Sequence, residues 1–146
     1  AWKNGSTGTA LVEVYDGDLK ADSQLANIST RGFVGAGDDV LIAGFVVGTG
    51  LGDVVVRALG PSLAQFGVAD PIADPTLELH DGNGNVTSND DWQIGANPAS
   101  IPASLRPHDP RESALHLSLP PGNYTAVVRG KGSAVGVALV EAYTLQ

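Results

Sequence analysis

Oxygen-bearing side chains alternate with glycine in the segment Asp81-Gly-Asn-Gly-Asn85, and Asn89-Asp-Asp91 follows shortly after it. Oxygen atoms at this spacing suit Ca²⁺, which takes about six to eight hard oxygen ligands. The segment is not an EF-hand, because Val86 and Trp92 stand where that loop needs Gly and Glu. The alternative is a plain turn, since tight turns require the same residue types. The predicted calcium ligands are Asp81, Asn83, Asp90 and Asp91.

The sequence contains no clear pattern of a catalytic nucleophile with its general base. Ser62 lies in Gly60-Pro-Ser-Leu-Ala64, where a nucleophile elbow would need Gly in place of Ala64. The histidines show no metal-ligand spacing and form no triad with Ser62. We therefore predict that the chain is not an enzyme. The histidines are His80, His108 and His116.

Charged residues stand within or beside apolar runs at several positions. Glu13 and Glu141 occupy equivalent places in two similar strands. We predict Glu–Arg pairs at strand faces or at a subunit seam, because the planar Arg side chain can bind a carboxylate through two hydrogen bonds. The alternative is a polar catalytic cluster. The arginines concerned are Arg31, Arg57 and Arg129.

Composition bounds the class of protein. The chain has 146 residues, enough for one domain with its own core, and a net charge of −8. No basic patch supports binding to nucleic acid, and no apolar run approaches the ~18 residues of a membrane span. The absence of Cys excludes disulfide bonds and thiolate metal sites. The acidic, lysine-poor composition without a remaining signal peptide predicts a mature extracellular or cell-surface protein.

Short apolar runs punctuated by 19 Gly and 9 Pro predict an all-β fold. Eight or nine strands at this spacing indicate a β-sandwich of jelly-roll character. Pro61–Phe66, followed by Gly67, is the one predicted helical turn, and residues 97–111 with their four prolines are a predicted loop. Asp81–Asn85 and Pro120–Asn123 are predicted tight turns. Trp92 is expected to pack the long loop onto the sandwich.

One strand sequence occurs twice. Gly8-Thr-Ala-Leu-Val-Glu-Val-Tyr15 and Gly136-Val-Ala-Leu-Val-Glu-Ala-Tyr143 share six of eight residues, 128 positions apart. Because a compact domain has one place for a given strand, we predict an N-terminal strand arm (residues 1–18) and a single sandwich repeat domain (residues 19–146). The alternative is that both copies pair within one subunit.

The second half of the chain resembles the bacterial pre-peptidase C-terminal domain, a secreted β-sandwich. The resemblance rests on Leu77-Glu-Leu-His80, the turn 81–85, Ser88-Asn-Asp-Asp91 and Leu117–Tyr124 followed by a strand. Two phrases in the first half are similar to tandem-repeat units of large secreted bacterial proteins. They are Leu25-Ala-Asn-Ile-Ser-Thr-Arg-Gly32 and Arg57-Ala-Leu-Gly-Pro-Ser62. The likeness implies a structural or adhesive module, and for the sandwich a calcium site.

These observations predict a structural subunit of an extracellular bacterial fibre or surface assembly. Its partners would be identical subunits, joined head to tail by donation of the N-terminal strand, whose alternating faces suit pairing at a sheet edge. The alternative is a calcium-assisted adhesion or glycan-binding module of a large surface protein, with Trp2 or Trp92 stacking on sugars. The predicted assembly strand is Thr9, Ala10, Leu11, Val12, Glu13, Val14 and Tyr15.

Overall fold

The computed structural model describes Gly8, residues 10–13 and residues 26–145. Over these residues the protein is a β-sandwich of eight strands, so the predicted all-β fold is confirmed. The described residues of the predicted N-terminal strand belong to no strand. The eight strands are β1 (Asn27–Val34), β2 (Leu41–Val47), β3 (Gly52–Leu59), β4 (Pro75–Asp81), β5 (Val86–Asn89), β6 (Ser113–Leu119), β7 (Gly122–Gly130) and β8 (Gly136–Leu145).

The sandwich consists of two antiparallel four-stranded sheets, with strand orders β1-β8-β3-β6 and β2-β7-β4-β5. We call them sheet A and sheet B. Every connection between consecutive strands crosses from one sheet to the other, except the β4–β5 hairpin. As a result β8, the last strand, lies in the interior of sheet A between β1 and β3.

The core is mainly aliphatic, in keeping with a chain in which only 5% of the residues are aromatic. Alternate residues of every strand except β5 point between the sheets, which is the geometry of a pleated strand with one buried face. Phe45 stacks on Tyr124 with ring centroids 5.5 Å apart at the edge of this core. The fully enclosed aliphatic residues of the cluster are Val34, Val56, Ala58, Ile72, Leu77, Ala126, Val128, Ala138 and Val140.

Two turns form from local sequence chemistry. Pro61 begins the six-residue 3₁₀ turn Pro61–Phe66, and Gly67 ends it with φ 76°, a left-handed conformation that glycine adopts without strain. The Asp81–Asn85 hairpin closes through the Asp81 N–H, which donates to the Asn85 carbonyl at 3.0 Å. Both predicted turns are therefore confirmed.

The long connection from β5 to β6 contains three 3₁₀ turns that the sequence did not indicate, at Trp92–Ile94, Pro98–Ser100 and Ala103–Leu105. This loop packs on the outer face of sheet A through a second apolar cluster, in which Trp92 contacts the group formed by Val55, Ile101 and Ala114. The prediction that Trp92 anchors the loop is confirmed. Within the described part of the chain, no helix is long and apolar enough to span a bilayer.

Candidate functional site

A charged cluster lies on the outer face of sheet A, where Arg57 of β3 pairs with Glu141 of β8. The Arg57 Nε donates to Glu141 Oε2 at 2.7 Å, and both side chains are largely shielded from solvent. Arg57 also donates to the Leu105 carbonyl at 2.9 Å and to the Tyr143 hydroxyl at 3.2 Å. The predicted Glu–Arg pairing at a strand face is confirmed for these two residues.

Other groups of the cluster donate hydrogen bonds to the second oxygen of Glu141. The hydroxyl groups of Ser29 and Tyr143 both donate hydrogen bonds to Glu141 Oε1, at 3.2 and 3.1 Å. The Arg57 guanidinium also lies over the Tyr143 ring, 5.2 Å from its centroid, which is a cation–π geometry. Burial raises the pKa of Tyr143, while the Arg57 charge opposes the rise and Glu141 adds to it. Because every partner is another fixed side chain or a carbonyl, the cluster ties β1, β3, β8 and the long loop together.

A groove of about 460 Å³ opens beside this cluster. Its apolar lining includes Leu59, Leu139 and Phe66 of the 3₁₀ turn. Arg31 of β1 also lines the groove and makes no hydrogen bond or ion pair with another described residue. Arg129, the third arginine of the predicted set, donates instead to the Gly37 carbonyl at 2.9 Å.

Three carboxylates meet where β4 begins and β5 ends. Asp74, Asp90 and Asp91 each bring one oxygen within 4.8 Å of the others, so this group could hold a metal ion. The Lys131 ammonium lies among them, 2.7 Å from Asp90 Oδ2 and 3.8 Å from an oxygen of each of the other two. The hydrogen bond to Asp90 raises the pKa of Lys131, and burial raises that of Asp74 despite the nearby lysine. Lys131 therefore acts as the internal counter-ion of the group.

Ser113 holds the two acidic segments in place. Its hydroxyl lies 2.7 Å from the carbonyl oxygens of Pro75 and Asp90 and 3.0 Å from that of Asn89. One hydroxyl proton serves one acceptor at a time, so the three contacts share it. Ser113 is fully buried, which makes this junction of β4, β5 and β6 a fixed support for the neighbouring Asp74, Asp90 and Asp91.

The predicted calcium ligands separate into two places. Asp81 Oδ1 accepts the backbone N–H groups of Asn83 and Asn85, both at 2.8 Å, and its Oδ2 accepts the Asn85 side-chain amide at 2.7 Å. The hydrogen bonds from Asn85, foremost, and from Asn83 lower the pKa of Asp81. This carboxylate stabilises its own turn and is not a member of the acidic group. Asp90 and Asp91 are members, and Asp74 joins them.

Ser62 serves a structural contact. Its hydroxyl and its N–H donate to Glu112 Oε1 at 2.6 and 3.0 Å, and the Gly60 N–H donates to the same oxygen at 2.9 Å. Glu112 is fully buried and accepts the Asp109 N–H at 3.3 Å on its other oxygen. The carboxylate thus fastens the Pro61–Phe66 turn to the end of the long loop. Two of the histidines pair with acids on their own sheets, His80 with Glu78 and His116 with Asp53.

Sequence reasoning missed Asp74, Lys131 and Glu112. Asp74 precedes a proline at the start of β4, and nothing near it in the sequence links it to Asp90. Glu112 stands next to Arg111 in a polar stretch that reads as exposed loop. The feature that distinguishes Glu112 is its complete burial. Burial depends on the tertiary structure, so the sequence carries no signal for it.

The predicted assembly strand lies partly outside the described residues, because Thr9, Val14 and Tyr15 are not among them. The described members Ala10, Leu11, Val12 and Glu13 are exposed and belong to no strand. The side chains of Leu11 and Val12 are 82% and 84% exposed. Trp2 also lies outside the described residues.

The chain matches no protein-family model, and a search of curated proteins found no match. Among solved structures it is similar to the crystal structure of the pre-peptidase C-terminal domain of collagenase from Bacillus anthracis. The two share 15% sequence identity with a TM-score of 0.52, over 80% of this chain and 89% of that domain. At this identity the likeness shows the fold alone. The resemblance stated from the second half of the chain is thus confirmed for the fold, and it extends into the first half: the chain has the fold of a pre-peptidase C-terminal domain.

Proposed function

We propose that this chain is a structural subunit of an extracellular bacterial fibre or surface assembly. It polymerises head to tail, each subunit donating its N-terminal strand, residues 7–15, to a neighbour. One observation carries the proposal: the C-terminal copy of the duplicated strand occupies the interior of sheet A as β8, while the described residues of the N-terminal copy are exposed. An apolar segment of this kind is a ready template for pairing with another chain.

Because β8 fills one interior position of sheet A, the N-terminal copy cannot take that same position. β8 pairs with β1 on one side and with β3 on the other, so the β-edges that face this position are already hydrogen-bonded to β8. The N-terminal copy would have to expel β8 or pair elsewhere. A heterologous contact between identical subunits need not close into a ring, and an open one propagates into a filament. Tandem-repeat ancestry, which the octets and the repeat-like phrases favour, supplies the origin of the extra strand.

Electron microscopy of the purified protein tests this function. The full chain should form filaments, and a chain without residues 1–16 should give dispersed particles with an unchanged circular-dichroism spectrum. Two exposed valines provide a matched pair of point variants, V12D in the arm and V86D on β5. V12D should prevent filaments and V86D should not. Filaments of the same form from the truncated chain would refute the donated strand.

The acidic group of Asp74, Asp90 and Asp91 favours a second function, that of a calcium-assisted binding module. Asp74 Oδ1 and Asp90 Oδ1 are buried without a hydrogen-bond partner in the described part of the chain, and their hard oxygens fit Ca²⁺. These two carboxylates and Asp91 would hold the ion once Lys131 moved aside. A glycan is the partner this function would serve.

Calcium titration decides whether this second function holds. Binding to the folded state alone raises the melting temperature by mass action. The K131Q variant removes the internal counter-ion and should bind calcium more tightly, whereas D90N should bind none. Equal melting temperatures in millimolar calcium and in EDTA, for the native chain and for K131Q, would reject the module. D81N serves as the control, because Asp81 already bonds its own turn.

A further inference from the structure

We propose that the acceptor of the donated arm is the outer edge of β1 in a neighbouring copy. The arm lies antiparallel to β1, with Leu11 opposite Phe33, Glu13 opposite Arg31 and Tyr15 opposite Ser29. This inference rests on the proposed function and names its docking surface and register.

The backbone of β1 has a complete set of hydrogen-bonding groups on this edge. The Thr144 N–H donates to the Ala26 carbonyl at 3.0 Å, and Ile28, Thr30, Gly32 and Val34 continue the same series along the β1–β8 ladder. In an antiparallel pair, every second residue turns its N–H and C=O toward the partner strand. The residues between them therefore direct both groups away from β8, toward the open edge. They are Asn27, Ser29, Arg31 and Phe33.

The proposed register matches this alternation. Leu11, Glu13 and Tyr15 would exchange hydrogen bonds with Phe33, Arg31 and Ser29, whose backbone groups face the edge. Residues directly opposite each other in an antiparallel pair project on the same face. The odd-numbered residues of β1 lie on the outer face of sheet A, because Ser29 and Arg31 line the groove there. The odd-numbered arm residues would continue that face.

Side-chain chemistry selects this register. Phe33 is 64% exposed and would gain Leu11 as an apolar neighbour. Arg31 is exposed, and no described residue forms an ion pair with it. Glu13 would place a carboxylate directly across from its guanidinium, and directly opposed unlike charges stabilise a strand pair. On the inner face Val12 would lie beside Gly32, where the Leu41 side chain fills the space of the missing side chain: Leu41 Cδ1 lies 3.0 Å from the position of a Cβ on Gly32.

The other sheet edges are poorer acceptors. β5 is four residues long, and β6 carries the packed 3₁₀ turns of the long loop beside it. β2 has a suitable length, yet Leu41–Val47 has no ionisable side chain to receive the arm's acid. Arg31 therefore distinguishes β1 from the remaining edges by charge complementarity.

Paired cysteines test the acceptor, and the native chain contains none that would interfere. In the full-length L11C/F33C variant, oxidation under assembly conditions should give a ladder of covalent multimers that collapses on reduction. The Cα atoms of an antiparallel hydrogen-bonded pair lie about 5.5 Å apart, within the range a disulfide spans. L11C/V46C, which directs the same arm cysteine to β2, is the matched control and should give no ladder.

Charge reversal tests the register. E13R and R31E should each slow assembly about tenfold, because like charges would then face each other, and the double variant E13R/R31E should restore it. A ladder from L11C/V46C rather than L11C/F33C, with filaments intact, would overturn this acceptor while leaving strand donation standing. Covalent monomers as the only oxidised product would show that the arm folds back on its own β1 and would overturn both. Absence of any filament from the native chain would defeat the proposed function itself.

Discussion

The two copies of the duplicated strand share six of eight residues and have different surroundings. Val140 of the C-terminal copy is 0% exposed between the two sheets, whereas its counterpart Val12 is 84% exposed. The carboxylate of Glu141 has three side-chain partners, among them Arg57 of a strand far away in the sequence. The difference shows that this octet does not determine its own structure. The strands available to pair with the octet on either side decide which structure it adopts.

The largest expected effect separates the two valines. V140D would bury an unpaired charge in the core and should lower the free energy of unfolding by at least about 4 kcal/mol. V12D should change it by less than about 0.5 kcal/mol, because the side chain is exposed. Urea unfolding followed by circular dichroism measures both. Similar losses in the two variants would show that the N-terminal copy also packs within its own subunit.

The carboxylate pair gives the next effect. E141L leaves the shielded Arg57 guanidinium without its charge partner and should cost about 3 kcal/mol of unfolding free energy. The double variant R57M/E141L removes both charges and should be more stable than E141L alone. Unfolding measurements on the single and double variants give the coupling energy directly. A double variant less stable than E141L would mean that Arg57 contributes mainly through Leu105 and Tyr143.

The first glycine of each octet sharpens the comparison further. A Cβ on Gly136 would lie 2.7 Å from the Ile72 nitrogen and 2.8 Å from the Asp70 carbonyl oxygen, both backbone atoms. G136A should therefore cost about 2 kcal/mol through overpacking. At Gly8 a Cβ would meet nothing within 4 Å, so G8A should leave the melting temperature unchanged. A destabilising G8A would place that glycine in a packed environment.

The smallest effect concerns alkaline pH. Burial raises the pKa of Tyr143 above the ordinary 10.0, so the folded protein keeps this proton to higher pH than the unfolded chain. Its contribution to stability is fully present below pH 10 and declines as the pH rises through the raised pKa. Y143F should remove this part of the alkaline loss, less than about 1 kcal/mol. The check is to measure the melting temperatures of the native protein and of Y143F from about pH 9 to about pH 11.5, a range that spans the ordinary tyrosine pKa. Parallel curves would contradict the shift.

Much of the fold followed from local patterns in the sequence. The runs bounded by Gly predicted the strands of the sandwich because a half-buried strand needs alternating or β-branched residues. Pro61 and Gly67 bounded the 3₁₀ turn, and Asp81 with Asn83 and Asn85 predicted the hairpin. The three short turns of the long loop were not predicted, since no periodicity marks a segment that is held by packing against Val55 and Ala114.

The candidate sites were predictable only in part. Asp90 and Asp91 were predicted as ligands from their acidity, and the Glu–Arg pairing was predicted as a type of contact. Asp74 and Lys131 were not, because their place beside Asp90 depends on where β4 and β7 lie in sheet B. Asp81 was predicted as a ligand because turn chemistry and calcium chemistry use the same oxygens, and its hydrogen bonds go to its own turn.

The sequence by itself determined the features whose physics is local: the runs that form the eight strands of the sandwich, the turns at Pro61–Phe66 and Asp81–Asn85, and the repetition of one octet. Tertiary structure alone decided which sequence-distant groups meet. It brought Arg57 to Glu141, buried Glu112 beneath the Pro61–Phe66 turn, and put Gly136–Leu145 in the slot between β1 and β3. Nothing within the octet marks that outcome, because a strand pairs through backbone groups that every copy shares. The position of β8 is distinguished by its two flanking strands, β1 and β3, and by Arg57, which pairs with Glu141 there.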